Sequence, residues 1–134
     1  MRILGLDIGS KRIGIAISDE LGITAQPLET IKAGDLRKVV DLIKEYKVEE
    51  LVVGLPLNMN GSEGPKAREV ISLAGSLKEK ISVPLKMWDE RLTTMAVEKE
   101  LIRADVSRQR RRRSIDKLAA QLILQSYLDS KKNA

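Results

Sequence analysis

The chain has 134 residues, with 24 Lys plus Arg against 19 Asp plus Glu and a formal net charge of +5. It contains no His and no Cys, which excludes disulfides, Cys/His zinc sites, histidine-held haem and hydrolysis by Ser-His-Asp or Cys-His devices. Catalysis must therefore rest on carboxylates, hydroxyls, lysine, arginine, tyrosine or a hard metal, and the basic balance points to an anionic partner.

Aromatic residues make up only 2% and Phe is absent, so the core is expected to be aliphatic. The length fits one domain over residues 1–134. Residues 2–8 are nearly all apolar with one carboxylate, Asp7, and read as a strand buried on both faces. A turn at Gly9–Arg12 leads into a second strand over 13–18, a hairpin signal. A third strand spans Thr24–Ile31, and Pro27 puts it at a sheet edge. The period then changes. Leu36, Val39, Val40 and Ile43 mark an amphipathic helix over 35–46.

Leu51–Leu55 is a short buried strand. Ser62 is placed to cap a helix with Pro65 in its first turn and an apolar stripe of Ala67, Val70, Ile71 and Ala74. Pro84–Trp88 is a further strand. Thr93 or Thr94 caps a helix to about Ala104, and a last helix runs from about Ser114 to Asp129 with Ile115, Leu118, Ala119, Leu122 and Ile123 on one face. Lys131–Ala134 read as a frayed end. The order β-β-β-α-β-α-β-α-α implies an α/β fold with a mixed sheet and helices on its faces. The segment before Asp7 is too short for a signal peptide's apolar region. No apolar run approaches the ~20 residues of a membrane span. A cytoplasmic protein with no membrane partner is expected.

Three acidic positions stand out. Asp7 sits inside a buried strand, where a carboxylate is costly without a metal, a cation or turn amides to compensate it. Asp89 and Glu90 follow a strand, where ligands gather in α/β sheets, although an acidic pair at a helix start also suits the dipole. Asp116 falls in the first turn of the last helix, with the same two readings. Hard oxygen ligands from separate elements suit Mg²⁺ or Mn²⁺, and paired metals activate water against a phosphodiester without His or Cys.

The Gly54–Gly61 stretch can offer backbone amides to phosphate, or be an ordinary loop. Arg108 and Arg110, Arg111, Arg112 and Arg113 form the densest basic run. With Arg103 and Lys117, residues 103–117 carry seven basic side chains against two acidic ones, a pattern that reads phosphate. Lys11 or Arg12, from the first turn, and Arg91, beside Glu90, are further candidates for phosphate charge. The scarcity of aromatics argues for backbone or shape recognition rather than base stacking.

Four segments together resemble a known family. They are Leu4–Gly14 with Ser18-Asp19, Val53–Gly61 with Gly64-Pro65, Trp88–Thr94, and Ile115–Ala120 with Ile123–Leu128. In this order, over nearly the whole chain, they resemble the YqgF family, also called RuvX or Holliday junction resolvase. Its members are regarded as pre-16S rRNA nucleases. The resemblance implies an RNase H-like fold: a five-stranded mixed sheet, three strands antiparallel, flanked by helices. It implies metal-dependent phosphodiester cleavage that matures the 16S rRNA 5′ end. Carried over by motif, Asp7 is the first-strand metal ligand, Glu90 the second acidic position with Asp89 as rival, and Asp116 the C-terminal one.

Two readings follow. One is a Mg²⁺ or Mn²⁺ endonuclease on structured nucleic acid, with precursor rRNA preferred, branched DNA the alternative and a ribosomal particle a further partner. The other is a non-catalytic RNA-binding assembly factor on the same fold. Monomer and homodimer are both open, a twofold dimer suiting a four-way junction. Asp7-Ile8-Gly9 also resembles the first phosphate motif of actin-like ATPases, but those need two such domains around the nucleotide.

Overall fold

A computed structural model of the chain describes residues 1–93 and 108–132, the side chains of 108–116 excepted. The strands are β1 (Ile3–Ile8), β2 (Arg12–Ser18), β3 (Ala25–Lys32), β4 (Glu50–Leu55) and β5 (Leu85–Asp89). The helices are α1 (Leu36–Glu45), α2 (Pro65–Lys78) and α3 (Arg108–Lys132), with a 3-10 turn at Glu90–Leu92.

The strands form one sheet in the order β3-β2-β1-β4-β5. β1 pairs antiparallel with β2, and β2 with β3, while β1, β4 and β5 run parallel. This is the expected five-stranded α/β mixed sheet. β3 lies at an edge, and Pro27 falls at the register irregularity opposite Ala16, where a missing ladder donor is tolerated. The parallel pairs put the carboxyl ends of β1, β4 and β5 at one end of the sheet, beside the β1–β2 turn and the end of β3.

Strand alternation divides the core. Leu4, Leu6 and Ile8 face α1 and α2, packing with Val39, Leu42, Ile43, Val70 and Leu77. Ile3, Ala16 and Val52 face α3, packing with Ala120, Ile123 and Leu124. Each fully buried Leu or Ile contributes about 1.5–3 kcal/mol, so an aliphatic core holds the sheet without Phe. Small residues let α3 lie close. A β-carbon on Gly5 would stand 2.8 Å from Leu124 Cβ. Polar contacts then set its register. Gln125 Oε1 accepts from the Ala25 amide at 2.8 Å, Gln121 Nε2 donates to the Ala25 carbonyl at 3.1 Å, and Trp88 Nε1 donates to Ser126 Oγ at 3.1 Å.

Several local expectations are corrected. Ser62 does not cap α2. Pro65 takes the first helical position, so the cap falls on Gly64, which makes no side-chain cap bond. Ser62 instead accepts from Asn58 Nδ2 and donates to Asn60 Oδ1. Ile71 is exposed, and Leu77 takes its place in the buried stripe. Helix α3 starts at Arg108 rather than near Ser114, because arginine is a strong helix former and its run continues the helix backwards. Its buried face is broader than the expected stripe, taking in Ala120, Leu124, Tyr127 and Leu128. Lys131 is not frayed. It is helical, and its Nζ donates to the buried Glu50 at 3.4 Å. The helix expected from Thr93 or Thr94 to Ala104 lies outside the described residues apart from Thr93, whose amide and hydroxyl donate to the Glu90 carbonyl.

Candidate active site

Asp7 lies one residue before the end of β1 and is only 8% exposed. Ile3, Gly5 and Asp7 share the face covered by α3. Across the sheet, Asp7 is directly opposite Gly14, and Gly14 is opposite Thr30. On its other side the β1–β4 ladder pairs Leu6 with Val53, so the next step sets Asp7 beside Gly54. The buried carboxylate thus stands between two glycines, at strand spacings of about 5 Å.

Glu90 enters that gap from above. Gly54 pairs with Trp88 on β5, and the 3-10 turn after β5 brings the Glu90 chain back over β4. A β-carbon on Gly54 would lie 3.3 Å from both Cγ and Oε2 of Glu90, and 2.5 Å from Ile123 Cδ1. The bare backbone of Gly54 is therefore what admits the Glu90 carboxylate beside the Asp7 strand.

Asp89 has a different task. Its Oδ1 accepts from the Arg91 amide at 2.9 Å and so starts the 3-10 turn. Arg91 Nε and Nη2 donate to the same carboxylate, the latter at 2.7 Å. The side-chain hydrogen bond from Arg91 outweighs partial burial and holds the Asp89 carboxyl below its ordinary range, while the same bond raises Arg91. Arg91 Nη1 also donates to the Met59 carbonyl at 3.2 Å. Gly61, in the left-handed region at φ 87°, leaves room for the guanidinium, since a β-carbon there would sit 3.3 Å from Nη1. Arg91 is thereby engaged as a clamp between the end of β5 and the loop after β4.

Several amides of that loop bond within it, as the ordinary-loop alternative expects. The amide of Asn58 donates to Ser62, those of Leu57 and Gly61 to Leu55 and Asn58, and that of Ser62 to Asn60 Oδ1. Asp116 lies in the third turn of α3 rather than the first. Its side chain, and those of Arg108, Arg110, Arg111, Arg112 and Arg113, lie outside the described residues. Among the described residues no three acidic side chains gather as a metal site.

The donor set nonetheless suits a hard cation. Mg²⁺ keeps several waters and needs only one or two carboxylates besides substrate phosphate. A buried Asp7 next to a glycine gap, with the Glu90 carboxylate above it, provides two. Lys11 and Arg12 stand at the same end of the sheet and, with Lys32 and Lys117, line a groove of about 770 Å³. Lys32 was not anticipated from the sequence, although its hairpin partner Arg12 was.

The chain is similar to known proteins along its whole length. The family model described as "RuvX: Holliday junction resolvase" matches residues 1–130. A relative from Geobacillus kaustophilus named "Putative pre-16S rRNA nuclease" is 56% identical, covering 98% of this chain and all of the relative. One of the same name from Bacillus cytotoxicus is 54% identical with the same coverage. Among solved structures, Thermus thermophilus RuvC in complex with a Holliday junction substrate superposes with a TM-score of 0.61 at 14% identity, covering 98% of this chain and 96% of RuvC. The fowlpox virus Holliday junction resolvase gives 0.51 at 15% identity, covering 97% and 99%. At such identities these structures speak for the RNase H-like fold alone. No described helix is long and apolar enough to cross a membrane. The full-length family match and the identity to those relatives together establish that the chain belongs to the RuvX family, a family of nucleases.

Proposed function

We propose that this protein is a divalent-metal-dependent endonuclease that hydrolyses phosphodiester bonds in structured nucleic acid, with the 5′ end of precursor 16S rRNA as its substrate. The observation that carries the reading is the acidic pair: Asp7 buried at the end of β1, and Glu90 held over Gly54 on the neighbouring strand. The names of the relatives support the substrate. Residues 1–134 act as one nuclease domain, in the cytoplasm where ribosomal precursors are made.

Asp7 and Glu90 would hold Mg²⁺ or Mn²⁺, with Asp116 as the third carboxylate. When bound, the metal supplies an activated water and charge neutralisation at the scissile phosphate. The rest is the protein's own work. Packing around β1 keeps the Asp7 carboxylate in one position. The 3-10 turn, started by Asp89 and fastened by Arg91, aims Glu90 at the gap. Asp89 is read as a positioning residue and Glu90 as the ligand. Through the Met59 carbonyl, Arg91 also ties the 3-10 turn to the loop after β4. Lys11, Arg12 and the arginines at 108 and 110–113 meet the phosphate backbone.

The test is cleavage of a labelled 16S precursor leader RNA and a four-way DNA junction. Each is run with Mg²⁺, Mn²⁺ and chelator, for wild type and Asp7→Asn. Metal-dependent cutting of the RNA, lost in Asp7→Asn, is the expected result. Cutting of the junction alone moves the substrate to branched DNA. No cutting of either, with binding intact, overturns the nuclease reading in favour of an assembly factor. Repeating the assay on precursor ribosomal particles checks whether the particle itself is the substrate.

A further inference from the structure

We propose that the groove between the β1–β2 turn, the end of β3 and helix α3 is the track that carries the nucleic-acid strand flanking the cleaved phosphate. Lys11, Arg12, Lys32 and Lys117 hold its phosphate backbone there. The proposal rests on the nuclease reading for what the track leads to, but not for what the track binds.

Four observations carry it. The first is placement. Asp7, Gly14 and Thr30 form a row across β1, β2 and β3. Arg12 and Lys32 form the next row on the same face of β2 and β3, about 7 Å further along the strands. Thr30 lines the groove and belongs to the Asp7 row, so the groove reaches the row that holds Asp7.

The second is charge. Arg12 and Lys32 are directly opposed, and like charges at such positions destabilise a sheet. Among the described residues no acidic side chain pairs with either, nor with Lys11 or Lys117. Elsewhere Arg2 pairs with Glu20, and Lys86 and Lys131 with Glu50, while among the described residues Lys44 and Lys47 have no acidic partner either, so what sets the groove apart is that four such cations line one space. Glu29, which also lines the groove, is turned to Lys38 at 3.6 Å. Among the described residues the groove therefore carries a surplus of positive charge that an anionic backbone would neutralise.

The third is shape. The groove measures about 770 Å³, and at its edge the Ala33 amide donates to the Lys11 carbonyl at 3.1 Å. That bond fastens the turn to the end of β3 and holds the cations in place. The fourth is what the lining lacks. Among the described residues no aromatic side chain lines it, so it offers no stacking platform and recognises backbone rather than bases.

The experiment is equilibrium binding in chelator, where no cleavage occurs. Fluorescent leader RNA and a four-way DNA junction are titrated across about 50–200 mM KCl with wild type, Lys11→Gln/Lys32→Gln, and Lys44→Gln/Lys47→Gln. The last pair lies at the far end of α1 and removes the same charge. Losing two phosphate contacts lowers the slope of log K against log salt by ~1.4 on a single strand and ~1.8 on a duplex. That loss is expected for the groove pair and not for the control pair. A loss on both nucleic acids assigns the track to the shared backbone, and a loss on one assigns it to that substrate. An unchanged slope in the groove pair, with native circular dichroism, overturns the proposal, as does an equal loss in the control. Since metal and cleavage play no part, failure here leaves the acidic pair standing. Failure of Asp7→Asn to stop cleavage likewise leaves the groove standing.

Discussion

The Glu90 carboxylate lies 3.3 Å from the point where a β-carbon on Gly54 would sit. A residue without a side chain on β4 thus makes the seat for an acidic residue that follows β5. Gly54→Ala should collide with Ile123 Cδ1 at 2.5 Å as well, costing about 1–3 kcal/mol in urea unfolding. It should also push Glu90 aside and lower cleavage at least ~10-fold. Ile123→Val removes Cδ1. The double variant should then be more stable than the sum of the single losses predicts, while cleavage stays low. Recovery of both together would show that Gly54 acts only through packing.

Asp89 and Glu90 should separate in their effects. Glu90→Gln is expected to abolish cleavage with Tm unchanged within a few degrees. Asp89→Asn keeps an acceptor for the Arg91 amide but loses the ion pair, so cleavage should fall in part. Equal loss in both would return Asp89 to the ligand set.

The same pair predicts an acid response. Arg91 holds the Asp89 carboxyl below its ordinary range. A carboxyl lowered on folding adds stability above its unfolded pKa of about 4, and that stability disappears as pH falls through the lower folded value. The Asp89 carbon resonance in NMR should therefore titrate below pH ~4. In Arg91→Gln it should move back up, and the Met59–Gly61 backbone amides should shift with it. An Asp89 midpoint untouched by the substitution would remove Arg91 as the cause.

At the far end of the sheet, Tyr127 donates to the buried Glu50 at 2.5 Å, and its ring meets Trp88 edge-on at 5.4 Å. Among the described residues Tyr127→Phe leaves Glu50 with Lys131 and Lys86 as partners, and should cost about 1.5–3 kcal/mol by urea unfolding. Burial, then the Glu50 hydrogen bond, push the Tyr127 hydroxyl well above its ordinary value. A raised folded pKa contributes stability below the unfolded value of about 10 and loses it as pH rises further. Wild type should therefore lose stability above pH ~10 more steeply than Tyr127→Phe. Parallel curves for the two proteins would count against this link.

Trp88 is the single tryptophan of the chain and pairs with Gly54 in the sheet. Mn²⁺, a paramagnetic quencher, should reduce its emission in wild type and much less in Asp7→Asn. Chelator should restore it. Equal quenching of both proteins would place the ion elsewhere.

Much of the fold was legible along the chain. The near-continuous apolar run around Asp7 marks a strand covered on both faces, and the change from period two to period 3.6 separates β3 from α1. Both signals are local, because side-chain direction repeats within a strand or a helix turn. Pro27 places β3 at an edge by its missing donor. Asp7 is visible for a similar reason: a carboxylate in an apolar strand requires compensation.

Other features depend on contacts between distant segments. Asp89 and Glu90 are neighbours of the same chemistry, and the 3-10 turn gives one to Arg91 and the other to the gap over Gly54. Arg91 looks like a free phosphate cation until the Met59 carbonyl and Asp89 are brought around it. Lys32 carries no local signal of function and gains one only when hairpin register sets it opposite Arg12. The start of α3 was misplaced because an arginine run is equally compatible with a basic loop and an exposed helix. By itself, then, the sequence determined the alternation of strands and helices, the aliphatic core, the absence of His and Cys chemistry, and the buried Asp7. Only the tertiary structure decided which carboxylate lies over Gly54, on the strand next to Asp7, and which cations face a common groove. Those facts come from register and close approach between strands far apart in the chain, which no local periodicity encodes.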